Sequence, residues 1–311
     1  MFFKAEPDWT ARCEGLAAEL VLLHGDKGLR PDNFGFVAYR ESGAGQRPDG
    51  YAYRGDWRCY PCSLVKAFHL VHALNAIDAG RIIDHEDLSR AIRDMILWSS
   101  NTGTNYVIDL LTGTTGDTLL SGDEFEAWRE SREGLNRFFT TGAWAEFAAD
   151  FERCNISQKL MDDVRYGREA QYAGRSGEYL NALTPLAAAR LMFEIFAGDV
   201  PLSPTGRQRA QDTLLRDRAS AQAKLPHFQV DTFLGGGMPA DARLWSKAGQ
   251  NSWTGDARAS YYKHDLLRVE IPGAAPIGIC LMTQGRGLCE DHPAAFPEIG
   301  ALLSERLLGR S

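Results

Sequence analysis

The chain has no apolar run of the roughly 18 to 20 residues that a membrane span requires, and its longest helical apolar patterns are interrupted by Arg, Glu or Asp. A membrane partner is therefore not expected. Positive charge is not in excess either: 34 Lys and Arg against 41 Asp and Glu leave a formal net charge of −7. Such a surface cannot neutralise a polyphosphate backbone, which excludes nucleic acid as an expected partner. The opening MFFKAEPDWTARCEGL has no apolar run of signal-peptide length and carries Lys4, Glu6 and Asp8. The expected location is cytoplasmic, or periplasmic if a leader has been removed. Cysteine is sparse, and Cys13, Cys59, Cys62, Cys154, Cys280 and Cys289 follow no framework spacing, so free and mostly buried thiols are expected. There is no internal repeat, no low-complexity tract and no linker rich in Pro, Gly or Ser. Neither His-Glu-x-x-His nor Gly-x-Ser-x-Gly occurs, and Gly235-Gly236-Gly237 lacks the Gly-Lys-Ser/Thr that would make it a phosphate loop. No metal and no cofactor are expected.

What is present is a globular composition, 44% hydrophobic and 24% charged over 311 residues, enough for a substantial core. Apolar residues recur at helical spacing from Pro7 to Leu23, then alternate as a strand over Asn33 to Tyr39. The turn SGAGQRPDG leads to a second short strand, YAYRG, in the manner of a hairpin. From Ser63 the period becomes 3.6, with Leu64, Val65, Phe68, Val71, Leu74 and Ile77 on one side and Gly80 as a stop. Helical patterns continue over Asp87 to Leu97, Thr104 to Leu111 and Asp123 to Phe139. Further helix starts fall at Thr184-Pro185 and Ser203-Pro204. Strand patterns return at Arg243 to Gly249, around Arg258 to Ile271 and at Ile277 to Thr283, before a last helix over Pro297 to Leu308. The order predicts an α+β fold: an antiparallel sheet carrying the terminal helices, with an all-helical middle inserted. We expect one domain over 1–311, with 1–62 and 220–311 forming the sheet subdomain and 63–219 the helical one.

Residues 59 to 66, CYPCSLVK, offer two chemistries. Cys59-x-x-Cys62 has the spacing of a redox or zinc site, yet zinc needs two more well-placed ligands, and a thioredoxin-like site belongs in a parallel α/β pattern. Neither context is present. Ser63-x-x-Lys66 places a hydroxyl and an amine one turn apart on the same helical face. A serine becomes nucleophilic when a neighbouring base takes its proton, and a lysine serves as that base when burial or nearby positive charge lowers its pKa. Two distant segments supply companions: Ser99-x-Asn101 before a helix in MILWSSNTGTNYVIDLL, and Lys247-Ala248-Gly249 on a strand in LWSKAGQNSWTG.

These three elements, in this order, resemble the Ser-x-x-Lys, Ser-x-Asn and Lys-Thr-Gly set of the serine β-lactamase and penicillin-binding protein superfamily, most closely its class A β-lactamase-like branch. NALTPLAAARLMFEIFAG is similar to the family's Thr-Pro helix, and SKAG with GICLMTQG to two adjacent strands, so the resemblance covers most of the chain. It implies the family's fold, a helical subdomain set against an antiparallel sheet. It further implies Ser63 as the acyl-accepting nucleophile, Lys66 as its base or relay and Ser99 as proton shuttle to the leaving group. Asn101 would hold the substrate amide and Lys66. Lys247 would lower the Lys66 pKa and attract a substrate carboxylate, and Ala248, Gly249 and Gln250 would line the substrate. The N–H groups of Ser63 and Gln250 would form the oxyanion hole.

Three departures shape the functional expectation. Ser100 replaces the central Asp of Ser-Asp-Asn. Ala248 replaces the Thr of Lys-Thr-Gly and removes a hydroxyl that binds a substrate carboxylate, with Ser246, Gln250, Ser252 and Arg258 as neighbouring polar candidates. The family's Glu-x-x-x-Asn deacylation loop is not found in RYGREAQYAGRSGEYLNALTP: Glu169 is followed by Ala173, and Glu178 with Asn181 has the wrong spacing. Glu169 reads as a solvated surface carboxylate, and the short interval between the first two motifs predicts a more open cleft. Two classes follow. One is a serine hydrolase acting on a small-molecule or peptide amide, ester or lactam, with weak β-lactamase activity. The other is a penicillin-binding or sensing module, or a D-Ala-D-Ala peptidase-like protein, that is acylated but deacylates slowly.

Overall fold

The computed structural model describes residues 1–43, 45–161, 165–174, 176–177 and 179–309. In chain order the principal elements are α1 (Pro7–His24), β1 (Phe34–Arg40), β2 (Asp49–Tyr53), a 3₁₀ turn (Cys62–Leu64), α2 (Val65–Asp78), α3 (Glu86–Leu97), α4 (Asn101–Thr112), α5 (Gly122–Arg132) and α6 (Gly134–Thr140). There follow α7 (Ala148–Phe151), α8 (Gly167–Ala173), α9 (Pro185–Phe196), α10 (Pro204–Leu214), β3 (Arg243–Gln250), β4 (Tyr262–Glu270), β5 (Ile277–Gln284) and α11 (Ala295–Leu303), which runs into a π-helical turn at Ser304–Leu308. The α+β arrangement is the one expected.

Helix starts follow their local chemistry. Thr184 Oγ1 accepts from the Ala187 N–H with Pro185 at the first helical position, and Ser203 Oγ accepts from the Gly206 N–H ahead of Pro204. Two boundaries differ from expectation. The single helix predicted over Asp123 to Phe139 is broken into α5 and α6 by a turn at Glu133, beside Gly134, a residue that gives little helical support. The helix expected from Ser63 begins two residues late, at Val65, because Cys62 has φ +48° and the chain passes through the 3₁₀ turn before α2.

The sheet is antiparallel in the order β2-β1-β5-β4-β3, so β3 is an edge. Strand alternation sends its side chains into two cores. Phe34, Phe36, Ala38, Leu244, Ala248, Leu267 and Ile279 pack beneath the terminal helices with Trp9, Leu16, Leu20, Phe296 and Ile299. Val37, Tyr39, Trp245, Leu266, Cys280 and Met282 face α9 and the helical body, whose own core is built from Phe68, Phe139, Phe147 and Phe151. Among the described residues no helix is long and apolar enough to cross a membrane.

Candidate active site

The site forms where the edge strand β3 meets the start of α2. Gly249 is the reason they can meet: a Cβ there would lie 2.7 Å from Ser63 N and 3.0 Å from Cys62 Cβ. The Ser63 turn is fastened from behind as well. His264 Nδ1 accepts from the Thr283 N–H at 3.1 Å, which leaves Nε2 to donate to the Tyr60 carbonyl at 2.8 Å. Burial pushes the His264 pKa down to about 4, in keeping with a neutral ring. Cys59 exchanges two backbone bonds with Leu183, and both cysteines of CYPC are buried free thiols. Cys62 stands against Gly249 and has its thiol held well above the ordinary range by burial.

Alternation on β3 directs Lys247 to the helical side and Ala248 to the opposite one. Lys247 is fully buried, and its Nζ lies 3.0 Å from Ser99 Oγ, 3.2 Å from Gln229 Oε1 and 2.6 Å from the Ala248 carbonyl. Lys66, also fully buried, places Nζ 3.3 Å from the same Ser99 Oγ and 2.8 Å from Asn101 Oδ1, and donates to the Ser99 carbonyl. One serine hydroxyl thus bridges two buried amines. Burial first, then the positive charges of Lys66 and Arg216, holds the Lys247 pKa well below the ordinary lysine range. Arg216 spends its guanidinium on the carbonyls of Ser246, Ile96 and Leu97.

Ser63 sits half-buried on the 3₁₀ turn, and among the described residues no hydrogen bond to its Oγ is found. Among the described residues the Lys66 amine bonds to Ser99 and Asn101, and no hydrogen bond joins it to Ser63. The Asn251 N–H bonds to the Tyr262 carbonyl, so strand alternation turns the neighbouring Gln250 N–H toward the open edge of β3. The Gln250 side chain is tied to the Cys289 carbonyl at 3.1 Å.

Two expectations need correction. Ala248 does not line the cleft with its side chain: its methyl is fully buried in the core beneath the terminal helices, and only its carbonyl reaches the site. Glu169 is not a solvated surface carboxylate. It is 1% exposed, its Oε1 pairs with the fully buried Arg132 at 2.7 Å, and its Oε2 accepts from the Lys159 N–H at 3.3 Å. Arg132 also donates to Thr114 Oγ1 at 2.9 Å and lies 4.6 Å from the Trp128 ring. This pair braces the segment ahead of α9, which four amides also pin. Asn105 brackets the backbone of Leu160 and Asn181 that of Gln158, while Asn136 and Asn155, bonded to each other, accept from the N–H groups of Ile156 and Ser157. Glu178 lies outside the described residues. Among the neighbouring polar candidates, Ser246 is buried and Arg258 is engaged with Asp256 at 2.7 Å.

Sequence reasoning missed Gln229, Arg216, His264 and Asp265. Asp265 sits opposite Ala248 in the β3–β4 register, accepts from the Leu234 N–H at 3.1 Å, and has its pKa pushed up to about 7 by burial. Backbone strain was a further signal that only coordinates reveal. Cys62, Ser99 and Gln229, all touching the site, have φ of +48°, +55° and +57°, a region that non-glycine residues rarely occupy outside strained or functional positions. Among the described residues no group of three or more His, Cys, Asp or Glu is arranged to bind a metal.

No family model matches the chain, and no curated protein does. Solved structures do match over nearly its whole length, and they define the class: the fold is that of the class A β-lactamases. A variant of the last common ancestor of Gram-negative class A β-lactamases is similar with a TM-score of 0.63 at 21% identity, covering 95% of this chain and 99% of that one. An ancestral class A β-lactamase gives 0.60 at 22%, covering 93% and 99%. A β-lactamase from Xanthomonas campestris gives 0.63 at 18%, covering 95% and 98%.

Proposed function

We propose that this protein is a serine hydrolase that works by acyl transfer through Ser63 on an amide, ester or lactam, with weak activity on classical penicillins. The observation that carries the reading is the Ser99 hydroxyl, held 3.3 Å from Lys66 Nζ and 3.0 Å from Lys247 Nζ beside the Ser63 turn. In the proposed sequence Lys66 takes the Ser63 proton as Oγ attacks the carbonyl carbon. The N–H groups of Ser63 and Gln250 hold the oxyanion, where fixed donors act on charge that develops only in the transition state. Ser99 passes the proton to the departing nitrogen or oxygen as its bond to carbon breaks, and Asn101 orients the acyl side and Lys66. Water then cleaves the Ser63 ester.

Glu169 is committed to Arg132 and the Lys159 N–H, and this favours a second reading, in which the adduct forms but is released slowly. Intact-protein mass spectrometry after exposure to a penicillin, beside turnover of a chromogenic cephalosporin and of simple aryl esters, separates the two. We expect an acyl adduct that Ser63→Ala abolishes, with faster turnover of the esters. Activity surviving Ser63→Ala overturns the mechanism, and rapid penicillin turnover overturns the assignment of weak β-lactamase activity.

A further inference from the structure

Lys247 is the one lysine that β3 brings to the site, and every bonding position of its amine is already used. As an ammonium it has three N–H groups, and three acceptors surround it: Ser99 Oγ, Gln229 Oε1 and the Ala248 carbonyl, at 3.0, 3.2 and 2.6 Å. As a neutral amine it has two N–H groups and a lone pair, which the two carbonyl oxygens and the Ser99 O–H satisfy equally well. The residue is 0% exposed. Its depressed pKa favours the neutral form, which has no charge to offer an anion. Neighbouring cations are likewise committed: Arg216 to three backbone carbonyls, Arg258 to Asp256, and Lys263 to the faces of Phe233 and Phe296. Position 248 carries a methyl turned into the opposite core.

We infer that this site takes esters or amides with no carboxylate on the leaving side of the scissile bond, and that Gln229 sets this preference by capping Lys247. The inference rests on the acyl-transfer reading and adds the substrate class to it. Gln229 reaches the amine from the loop before β3, and its backbone holds φ +57° to do so. A carboxylate arriving at Lys247 must displace the Gln229 amide from a buried amine, leaving a polar group unpaired unless the loop moves. A neutral leaving group makes no such demand.

The test uses two phenylacetyl esters that differ by one group, the ester of phenol and that of 3-hydroxybenzoic acid, with the full chain and its Gln229→Asn and Gln229→Ala variants. Asn tolerates the left-handed backbone and is too short to cap Lys247. We expect the wild type to favour the phenol ester in kcat/KM by about ten-fold or more, and each variant to shift the ratio toward the carboxylate ester by a similar factor. Both esters are measured on one sample, so a loss of folded protein cancels in the ratio. Wild-type preference for the carboxylate ester overturns the inference while leaving the acyl-transfer reading intact. A neutral preference unchanged in both variants overturns the role of Gln229. Absence of a Ser63 adduct with either ester overturns the acyl-transfer reading, and the inference with it.

Discussion

Ser99 holds a single hydroxyl proton between two buried amines, and its chemistry is best separated from theirs by the leaving group. An amine leaving from an amide must be protonated as it departs, whereas 4-nitrophenolate leaves unaided. If Ser99 carries that proton, Ser99→Ala lowers kcat on an anilide by about 100-fold or more, the usual scale of a positioned general acid, and on a 4-nitrophenyl ester by far less. Equal losses on both substrates would instead mean that the hydroxyl only positions Lys66. At this scale the sequence was readable wherever the chemistry is local or sits in a motif: Lys66, Ser99, Asn101 and Lys247 are hydrogen-bonded together, and Ser63 lies on the adjoining turn against Gly249. Gln229 and Asp265 were not readable, because their contacts with the site come from tertiary packing and they lie in no motif. Glu169 misled for the same reason. Its neighbours RYGREAQYAG are polar, and the arginine that buries it is 37 residues away in α5.

At the scale of elements, the site depends on how closely an edge strand can approach a helix start. Gly249 meets backbone atoms of the Ser63 turn, which cannot swing aside as a flexible side chain would. Gly249→Ala is expected to push β3 away from that turn and displace the Gln250 N–H from the oxyanion hole proposed for it. Losing one such donor costs on the order of 100-fold in kcat. The thermal midpoint should fall only modestly, since the sheet core on either side is unchanged. Retention of wild-type kcat by a folded Gly249→Ala protein would remove β3 from the catalytic arrangement. The elements themselves were legible because caps and periodicity agree, as at Thr184-Pro185 and along β5. Boundaries failed at Glu133, where a turn interrupts the helix although the backbone stays in the ordinary right-handed region, and at the left-handed Cys62.

Across the whole molecule, buried ionisable groups make the fold sensitive to acid. His69 and His72 are buried in the helical body with pKa values pushed down to about 3, and His264 beneath the Ser63 turn to about 4. Desolvation is the leading cause for each, and neither ring nitrogen of His69 finds a partner among the described residues. An imidazole kept neutral in the fold but free to protonate near pH 6.5 when unfolded contributes stability above pH 6.5. That contribution is lost as pH falls from there toward the folded-state value. Asp265 works in the opposite sense: its carboxyl is raised from 3.8 to about 7, so its contribution is present below 3.8 and lost as pH rises through 7. Near pH 5 the unfolded chain carries close to three extra protons on histidine and the fold close to one on Asp265. The net of two makes stability fall with acid by roughly 1.4 kcal/mol per pH unit for each net proton. Thermal melts from pH 7 to 5 should show a midpoint that changes little near pH 7 and falls increasingly steeply toward pH 5. His72→Phe keeps an aromatic ring for the 4.2 Å stack on Phe138 and should reduce the slope, while Asp265→Asn removes the opposing group and should steepen it. A midpoint independent of pH over this range, or slopes that the two substitutions leave unchanged, would show that these groups do not hold their buried protonation states in the native protein.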